Sequence, residues 1–165
     1  MPELTIRPSI GADEYPALVA IWRSAVDATH GFVHESHRDE IEAHLASEYL
    51  PSVALSVAEI GGLPVGFAGT LDGNLEMLFV DAARRGDGIG SALLAHVVRH
   101  QDVSRVDVNE QNAAAVAFYG RRGFVVAGRS EVDEAGRPYP LLHLRLSQAQ
   151  PSASTASTAA TPRRR

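Results

Sequence analysis

One segment, residues 78–100, constrains the fold of this chain more than any other part: LFVDAARRGDGIGSALLAHVVRH. Its apolar start favours a strand, and a turn follows that contains Gly86, Gly88 and Gly90. Apolar residues then recur at every third or fourth position, which predicts an amphipathic helix. The first N–H groups of a helix have no partner within it and carry the positive end of the helix dipole. The segment therefore predicts a cradle for a phosphate or pyrophosphate.

Several glycine-loop patterns compete for this turn. A P-loop is excluded because its lysine is missing from the segment. A dinucleotide fingerprint GxGxxG accepts Gly86 and Gly88 but meets Ser91 in its third glycine position. Asp107 does lie about 20 residues further on, where a ribose ligand is expected. A nicotinamide-dependent oxidoreductase and a purely structural turn therefore stay open as alternatives.

Residues 85–90 read RGDGIG, which fits a fourth pattern, R/Q-x-x-G-x-G/A. With this loop the chain resembles the GCN5-related N-acetyltransferases, the GNAT superfamily. A second signature of that family, N-x(6)-Y-x(3)-GF, is matched by Asn112, Tyr119 and Gly123-Phe124. The string GRSEVDEAGRPYPLLHL is most like the small bacterial acetyltransferases of the YjaB type. The resemblance covers residues 4–146 and implies an α/β fold. Its central mixed sheet carries helices on both faces and is splayed between two parallel strands.

Local patterns predict the order of the elements. A strand and a helix come first, and a second helix begins at a weak capping box formed by Ser36 and Asp39. Gly61-Gly62 predicts a hairpin between two strands. The strands before and after the glycine-turn helix should be parallel, with a right-handed crossover. A last hairpin closes around residues 133–136.

Composition predicts one domain over residues 1–147 and a disordered tail over residues 148–165. The tail is rich in Ser, Thr, Ala and Gln and cannot bury enough surface to offset its ordering entropy. The chain has no cysteine, which excludes disulfides and thiolate nucleophiles. Without a signal-like or membrane-spanning run we expect a cytoplasmic protein with no membrane partner. The net charge of −5 argues against nucleic acid as a partner, and a homodimer is left open.

The resemblance implies acetyl-coenzyme A as the acyl donor. Its pantetheine arm would pair, like an added strand, with the backbone of Leu78, Phe79 and Val80. The pyrophosphate would lie on the loop formed by Arg85, Gly86, Asp87, Gly88, Ile89, Gly90 and Ser91, with Arg84 as a second cation. Asp87 does not suit a pyrophosphate site, because its carboxylate would repel the ligand. We therefore expect this carboxylate to face solvent. Asn112 would either bond the arm or cap the helix that follows it.

Two kinds of catalytic group are expected for acetyl transfer. By resemblance, Tyr119 contacts the donor and gives a proton to the departing thiolate. Neutralising a lysine-like amine of pKa about 10.4 near pH 7.4 costs about 4 kcal/mol, so a carboxylate base is expected. Glu76 and Asp107, each within an apolar strand, are the candidates for this base. Glu110 is a third option that could equally cap a helix.

The acceptor is predicted to be a primary amine on a small molecule, a protein lysine or an N-terminus, attacking directly in a ternary complex. His30, Phe32 and Tyr139 are predicted to line its pocket. No metal is expected, because His34 and His37 do not fit the HExxH spacing. A positively charged acceptor is suggested by a group of acidic residues: Glu35, Asp39, Glu40, Glu42 and Glu48. The alternative function is a non-catalytic acyl-coenzyme A sensor that uses the same cradle.

Overall fold

The computed structural model describes residues 3–147 of the chain. They form two compact units that divide between Val106 and Asp107. The tail predicted over residues 148–165 lies outside the described residues. No helix within residues 3–147 is both long enough and apolar enough to cross a bilayer.

The first unit contains most of the strands and three of the helices. In chain order these are β1 (Leu4–Pro8), α1 (Tyr15–Thr29), α2 (Glu35–His44), β2 (Ala54–Ile60), β3 (Leu63–Leu71), β4 (Asn74–Val80), α3 (Ile89–His100) and the start of β5 (Arg105–Asn109). The strands follow the order β1-β2-β3-β4-β5, and each neighbouring pair is antiparallel except β4 with β5, which is parallel. The predicted hairpin at Gly61-Gly62 and the predicted parallel pair are both confirmed.

Helices cover both faces of these strands, as predicted. Phe67 pairs with Phe79 in the sheet, and α1 packs on their face, with Trp22 edge-on to Phe79 at a centroid distance of 6.4 Å. On the opposite face α3 approaches β3 closely at Gly66. A Cβ on Gly66 would lie 3.1 Å from both the Cγ2 of Ile89 and the carbonyl oxygen of Phe79, so any larger residue would force its neighbours to shift. This close contact sets the position of α3 beside the end of β4.

The two parallel strands separate soon after they meet. β4 pairs with β5 at Asn74 and Leu75, opposite Arg105 and Val106. On its other edge β4 stays paired with β3 as far as Val80. Among residues 3–147, positions 76–80 of β4 thus have a strand partner on one edge only. This is the splay that the resemblance implied.

The second unit contains the end of β5, α4 (Ala113–Arg121), β6 (Phe124–Ser130) and β7 (Leu141–Leu146), with strand order β5-β7-β6. β6 and β7 form the predicted antiparallel hairpin, with a bulge between Val126 and Gly128. Phe124 and Leu144 are buried, whereas most of the edge strand β6 is exposed. The core of this unit therefore lies on one face of its strands.

The predicted start of the second helix is wrong. α2 begins at Glu35, with His34 as its N-cap and without a side-chain capping bond, so Ser36 lies inside the first turn. The buried Val33 fixes the chain immediately before, and the helix begins as soon as the chain leaves that contact. After α2 the chain continues through a π-helical turn and a 3₁₀ turn that contains Pro51, where the helical run ends as expected.

Candidate functional site

The glycine turn has the conformation of an open cradle. Gly86 and Gly88 have φ angles of +89° and +80°, a region that side-chain-bearing residues rarely adopt. A Cβ at either position would meet no atom within 4 Å, so the space above the turn is open. The first helical bond of α3 runs from the Ala92 N–H to the Gly88 carbonyl at 3.0 Å. The N–H groups of Ile89 and Gly90 precede this bond, at the positive end of the helix dipole.

A serine on α1 anchors the turn that leads to this cradle. The Ser24 hydroxyl donates to the Asp81 carboxylate at 3.2 Å and accepts from the Ala82 N–H at 3.0 Å. Asp81 in turn caps the short helical turn after β4 by accepting from the Ala83 N–H at 3.1 Å. An aspartate that follows a strand is a recognisable cap. Sequence reasoning missed the role of Ser24, because its partner lies 57 residues away.

The predicted donor-binding residues lie at the end of β4 and in the turn that follows it. Leu78, Phe79 and Val80 are half-buried on the strand that carries the open edge. Arg85 and Asp87 are exposed. Residues 81–88 connect the open edge of β4 to the start of α3 within the first unit.

A cavity of about 560 Å³ also lies in the first unit, at the opposite end of β4. Its lining includes Thr70, Asp72, Gly73 and Asp102, all near the β3–β4 hairpin. At about 3.3 Å per residue, the length of β4 separates this hairpin from the glycine turn by roughly 20 Å. None of the predicted site residues lines this cavity.

The helix connection brings His30 and Phe32 together, with a ring centroid distance of 5.4 Å. The His30 Nδ1 lies 2.7 Å from the Thr29 hydroxyl. Burial, helped by the positive charge of Arg38, lowers the pKa of His30 to about 4. The ring is therefore neutral at physiological pH. Tyr139 belongs to the second unit, where it is buried.

This lowered pKa should make folding stability depend on pH. The unfolded chain binds a proton on His30 below about pH 6.5, whereas the folded chain does so only near pH 4. Stability should therefore fall as pH is lowered from about 6.5 to about 4. Urea unfolding at pH 7 and pH 5 measures this effect. Between these two pH values the free energy of unfolding should decrease less in His30→Gln than in wild type. An unchanged pH dependence of stability in His30→Gln would refute this assignment.

The acidic residues of α2 are engaged in packing it against α1. The guanidinium of Arg23 bonds Asp27, Asp39 and Glu42 at 3.0, 2.7 and 3.1 Å, and Glu35 lies 3.8 Å away. Three of the acidic residues that hinted at a cationic acceptor, Glu35, Asp39 and Glu42, thus lie around Arg23 within the fold.

Tyr119 and Asn112 occupy the same helix of the second unit. Tyr119 is 7% exposed and contacts the ring of Phe124 edge-to-face at 5.7 Å. This burial raises the pKa of the Tyr119 phenol well above its ordinary value, so the group stays protonated. Asn112 accepts a hydrogen bond from the Ala115 N–H at 3.1 Å, which makes it the N-cap of α4.

The three candidate carboxylates differ in their surroundings. Glu76 is exposed and accepts a hydrogen bond from the side chain of Asn74. Glu110 accepts two bonds from the guanidinium of Arg129, at 2.9 and 3.0 Å, and these bonds lower the pKa of Glu110. Asp107 is half-buried, and its Oδ1 lies 2.6 Å from the Nδ1 of His143. Asp107 is therefore the candidate whose partner is a titratable ring.

His143 is a site residue that sequence reasoning missed. Its Nε2 lies 2.6 Å from the Ser130 hydroxyl, so the ring connects Ser130 to Asp107. The available signal was a polar residue within the apolar strand LLHLRL. That signal does not predict the hydrogen-bond partner of His143, because Asp107 is 36 residues away in the sequence.

A glycine turn at a helix start, beside the open edge of a strand that parts from its parallel neighbour, is the arrangement that the resemblance implied for the acyl donor. The chain belongs to the GNAT family of N-acetyltransferases: the family model for the acetyltransferase (GNAT) domain matches residues 23–140. The family predicted from the two sequence signatures is thereby confirmed.

Individual relatives agree with this family. The peptidyl-lysine N-acetyltransferase YjaB of Salmonella typhimurium is 46% identical over 133 residues, covering 80% of this chain and 91% of that protein. The solution structure of apo YjaB from Escherichia coli has a TM-score of 0.78 and 43% identity, over 87% of this chain and 97% of that one. PaiA N-acetyltransferase of Thermoplasma acidophilum, solved with coenzyme A, shares the fold with a TM-score of 0.68 and 16% identity, over 87% and 99% of the two chains.

Proposed function

We propose that this N-acetyltransferase moves the acetyl group of acetyl-coenzyme A directly onto the side-chain amine of a protein lysine. The observation that carries the donor assignment is the open edge of β4, which leads into the Gly86–Gly88 turn. The lysine acceptor is supported by the relatives, since YjaB of Salmonella typhimurium is a peptidyl-lysine N-acetyltransferase.

The residues of the first unit fit such a donor. Amide groups of a pantetheine arm would pair with the backbone of residues 76–80, as a peptide does when it adds to a sheet edge. The N–H groups of Ile89 and Gly90 would hold the pyrophosphate, with Arg84 and Arg85 adding positive charge. A bulky ligand can approach because Gly88 leaves the space above the turn open.

Asp107 is the carboxylate we propose as the base. Glu110 is already neutralised by Arg129, and Glu76 is exposed and bonds the side chain of Asn74. Asp107 bonds the ring of His143 through Oδ1, which leaves Oδ2 to take the proton whose removal costs about 4 kcal/mol. Its Oδ2 would receive that proton before the amine attacks, because a protonated amine has no lone pair, and the second N–H proton would leave to solvent as the amide forms.

Tyr119 is the group we propose as the acid. Transfer from an ordinary phenol of pKa about 10 to a thiolate whose thiol has a pKa of about 8.5 is uphill by about 2 kcal/mol. The buried position of Tyr119 increases this cost. The proton should therefore move only as negative charge builds up on the departing sulfur, after which solvent restores the phenol.

Ligand-induced stabilisation tests the donor assignment. Coenzyme A at 100 times its Kd should stabilise the fold by about 2.7 kcal/mol, whereas NAD at the same concentration should not. Thermal unfolding with each ligand measures this difference. Equal shifts would overturn the assignment in favour of a dinucleotide enzyme. A coenzyme A shift without acetylation of any lysine peptide would favour the acyl-coenzyme A sensor.

A further inference from the structure

Three polar side chains of the second unit form a continuous chain on one sheet face. Val108 and Leu144 are buried, so their neighbours Asp107 and His143 project from the other face of β5 and β7. The ring of His143 bonds Asp107 through Nδ1 and Ser130 through Nε2, each at 2.6 Å.

The ring lies over the neighbouring strand β6. Gly128 is the residue that pairs with His143 across the β6–β7 hairpin. A Cβ on Gly128 would lie at an ordinary contact distance of 3.6 Å from the His143 Cδ2, so the ring passes directly over this position on its way to Ser130. The ring is held at both nitrogens and has one orientation.

The two hydrogen bonds also fix the tautomer of His143. A carboxylate can only accept, so the ring must carry its proton on Nδ1 to bond an ionised Asp107. The neutral ring then has a bare Nε2, which accepts from the hydroxyl of Ser130. This arrangement leaves Oδ2 of Asp107 outside the chain of bonds.

Few other charges share this face within residues 107–147. On β7 itself, Arg145 lies two positions from His143 and on the same side. On β6, Arg129 pairs in register with Leu142 and so lies on the opposite face, where it bonds Glu110. Asp107 is the charged group that β5 presents to the ring, and Ser130 is the polar group that β6 presents.

We propose that His143 is a positioning residue for acetyl transfer. It donates from Nδ1 to Oδ1 of Asp107 and so holds the carboxylate whose Oδ2 takes the proton from the acceptor amine. The neutral amine nitrogen then forms its bond to the acetyl carbon and releases its second proton to solvent, the carbon–sulfur bond breaks, and Tyr119 gives its phenolic proton to the sulfur. His143 itself moves no proton. This inference rests on the proposed function of Asp107 as the base.

Two substitutions at this position separate positioning from packing. Asparagine places its amide where Nδ1 was and keeps the bond to Asp107, whereas glutamine places its amide where Nε2 was and keeps only Ser130 as a partner. With a blocked peptide that contains a single lysine, His143→Asn should retain kcat within a few fold of wild type. His143→Gln should lose about 100-fold, because small displacements of a catalytic group cost that much. The KM for acetyl-coenzyme A should stay unchanged in both.

Further readouts complete the test. Ser130→Ala should lower kcat only a few fold, because the bond to Asp107 remains. Equal kcat values for the two His143 variants would overturn the proposal. Coenzyme A release without any amine, lost in Ser130→Ala, would also overturn it and make Ser130 a nucleophile.

Nitrogen-15 NMR of the imidazole ring keeps this inference separate from the proposed function. The wild-type protein should show a protonated Nδ1 on His143 whose proton resonance shifts in Asp107→Asn. A protein that binds coenzyme A but acetylates no peptide would refute the proposed function. The Nδ1 resonance would then still support the bond to Asp107, and a proton found on Nε2 in place of Nδ1 would overturn it.

Discussion

Gly88→Glu should abolish measurable binding of coenzyme A while the protein stays folded. A Cβ at Gly88 meets nothing within 4 Å, so the new side chain causes no clash. A glutamate carboxylate about 5 Å from a pyrophosphate charge costs about 3 kcal/mol at an effective dielectric constant of 20. That cost lowers affinity by at least about 100-fold. Isothermal titration calorimetry measures the affinity, and circular dichroism checks the fold.

Gly88→Ala is the matched control for this variant. It introduces the same penalty for a φ of +80°, about 1–2 kcal/mol of folding stability, but no charge. We expect it to retain most of the affinity for coenzyme A. If alanine and glutamate reduce affinity equally, the backbone conformation and not the charge decides binding. Normal binding by both would show that the turn is only structural.

Tyr119→Phe should lower turnover by about 100-fold, the usual effect of removing a positioned general acid. The phenylalanine keeps the ring and its edge-to-face contact with Phe124. The fold and the affinity for acetyl-coenzyme A should therefore change little. A steady-state assay of thiol release with a lysine peptide measures the turnover, and calorimetry measures donor binding.

Tyr49→Phe provides a control for loss of a tyrosine hydroxyl elsewhere. Tyr49 is a half-buried residue packed at the core of the first unit, and its variant should turn over as wild type does. Normal turnover in Tyr119→Phe would mean that solvent protonates the thiolate and that Tyr119 only packs. If Tyr119→Phe instead loses its affinity for acetyl-coenzyme A, Tyr119 is a binding residue. That result would favour the non-catalytic acyl-coenzyme A sensor.

The sequence alone predicted the features that depend on near neighbours. Alternating glycines before an amphipathic helix identify the cradle, because positive φ angles and a helix start are local properties. The hairpin at Gly61-Gly62 and the helix begun by Asn112 were predicted for the same reason. The two family signatures then supplied the sheet order, which no local pattern contains. The capping box at Ser36 failed because a buried residue, Val33, set the start of the helix instead.

Only the tertiary structure decided which polar side chains work together. It tied the acidic residues of α2 to Arg23 and neutralised Glu110 with Arg129. It also connected Asp107 to His143, because the strand order of the second unit sets β7 beside β5. Partners of this kind are set by strand order and register, which depend on how the whole chain buries its apolar faces. The sequence therefore determined the glycine turn that we propose as the donor site, whereas the choice among the candidate bases came from contacts between strands far apart in the chain.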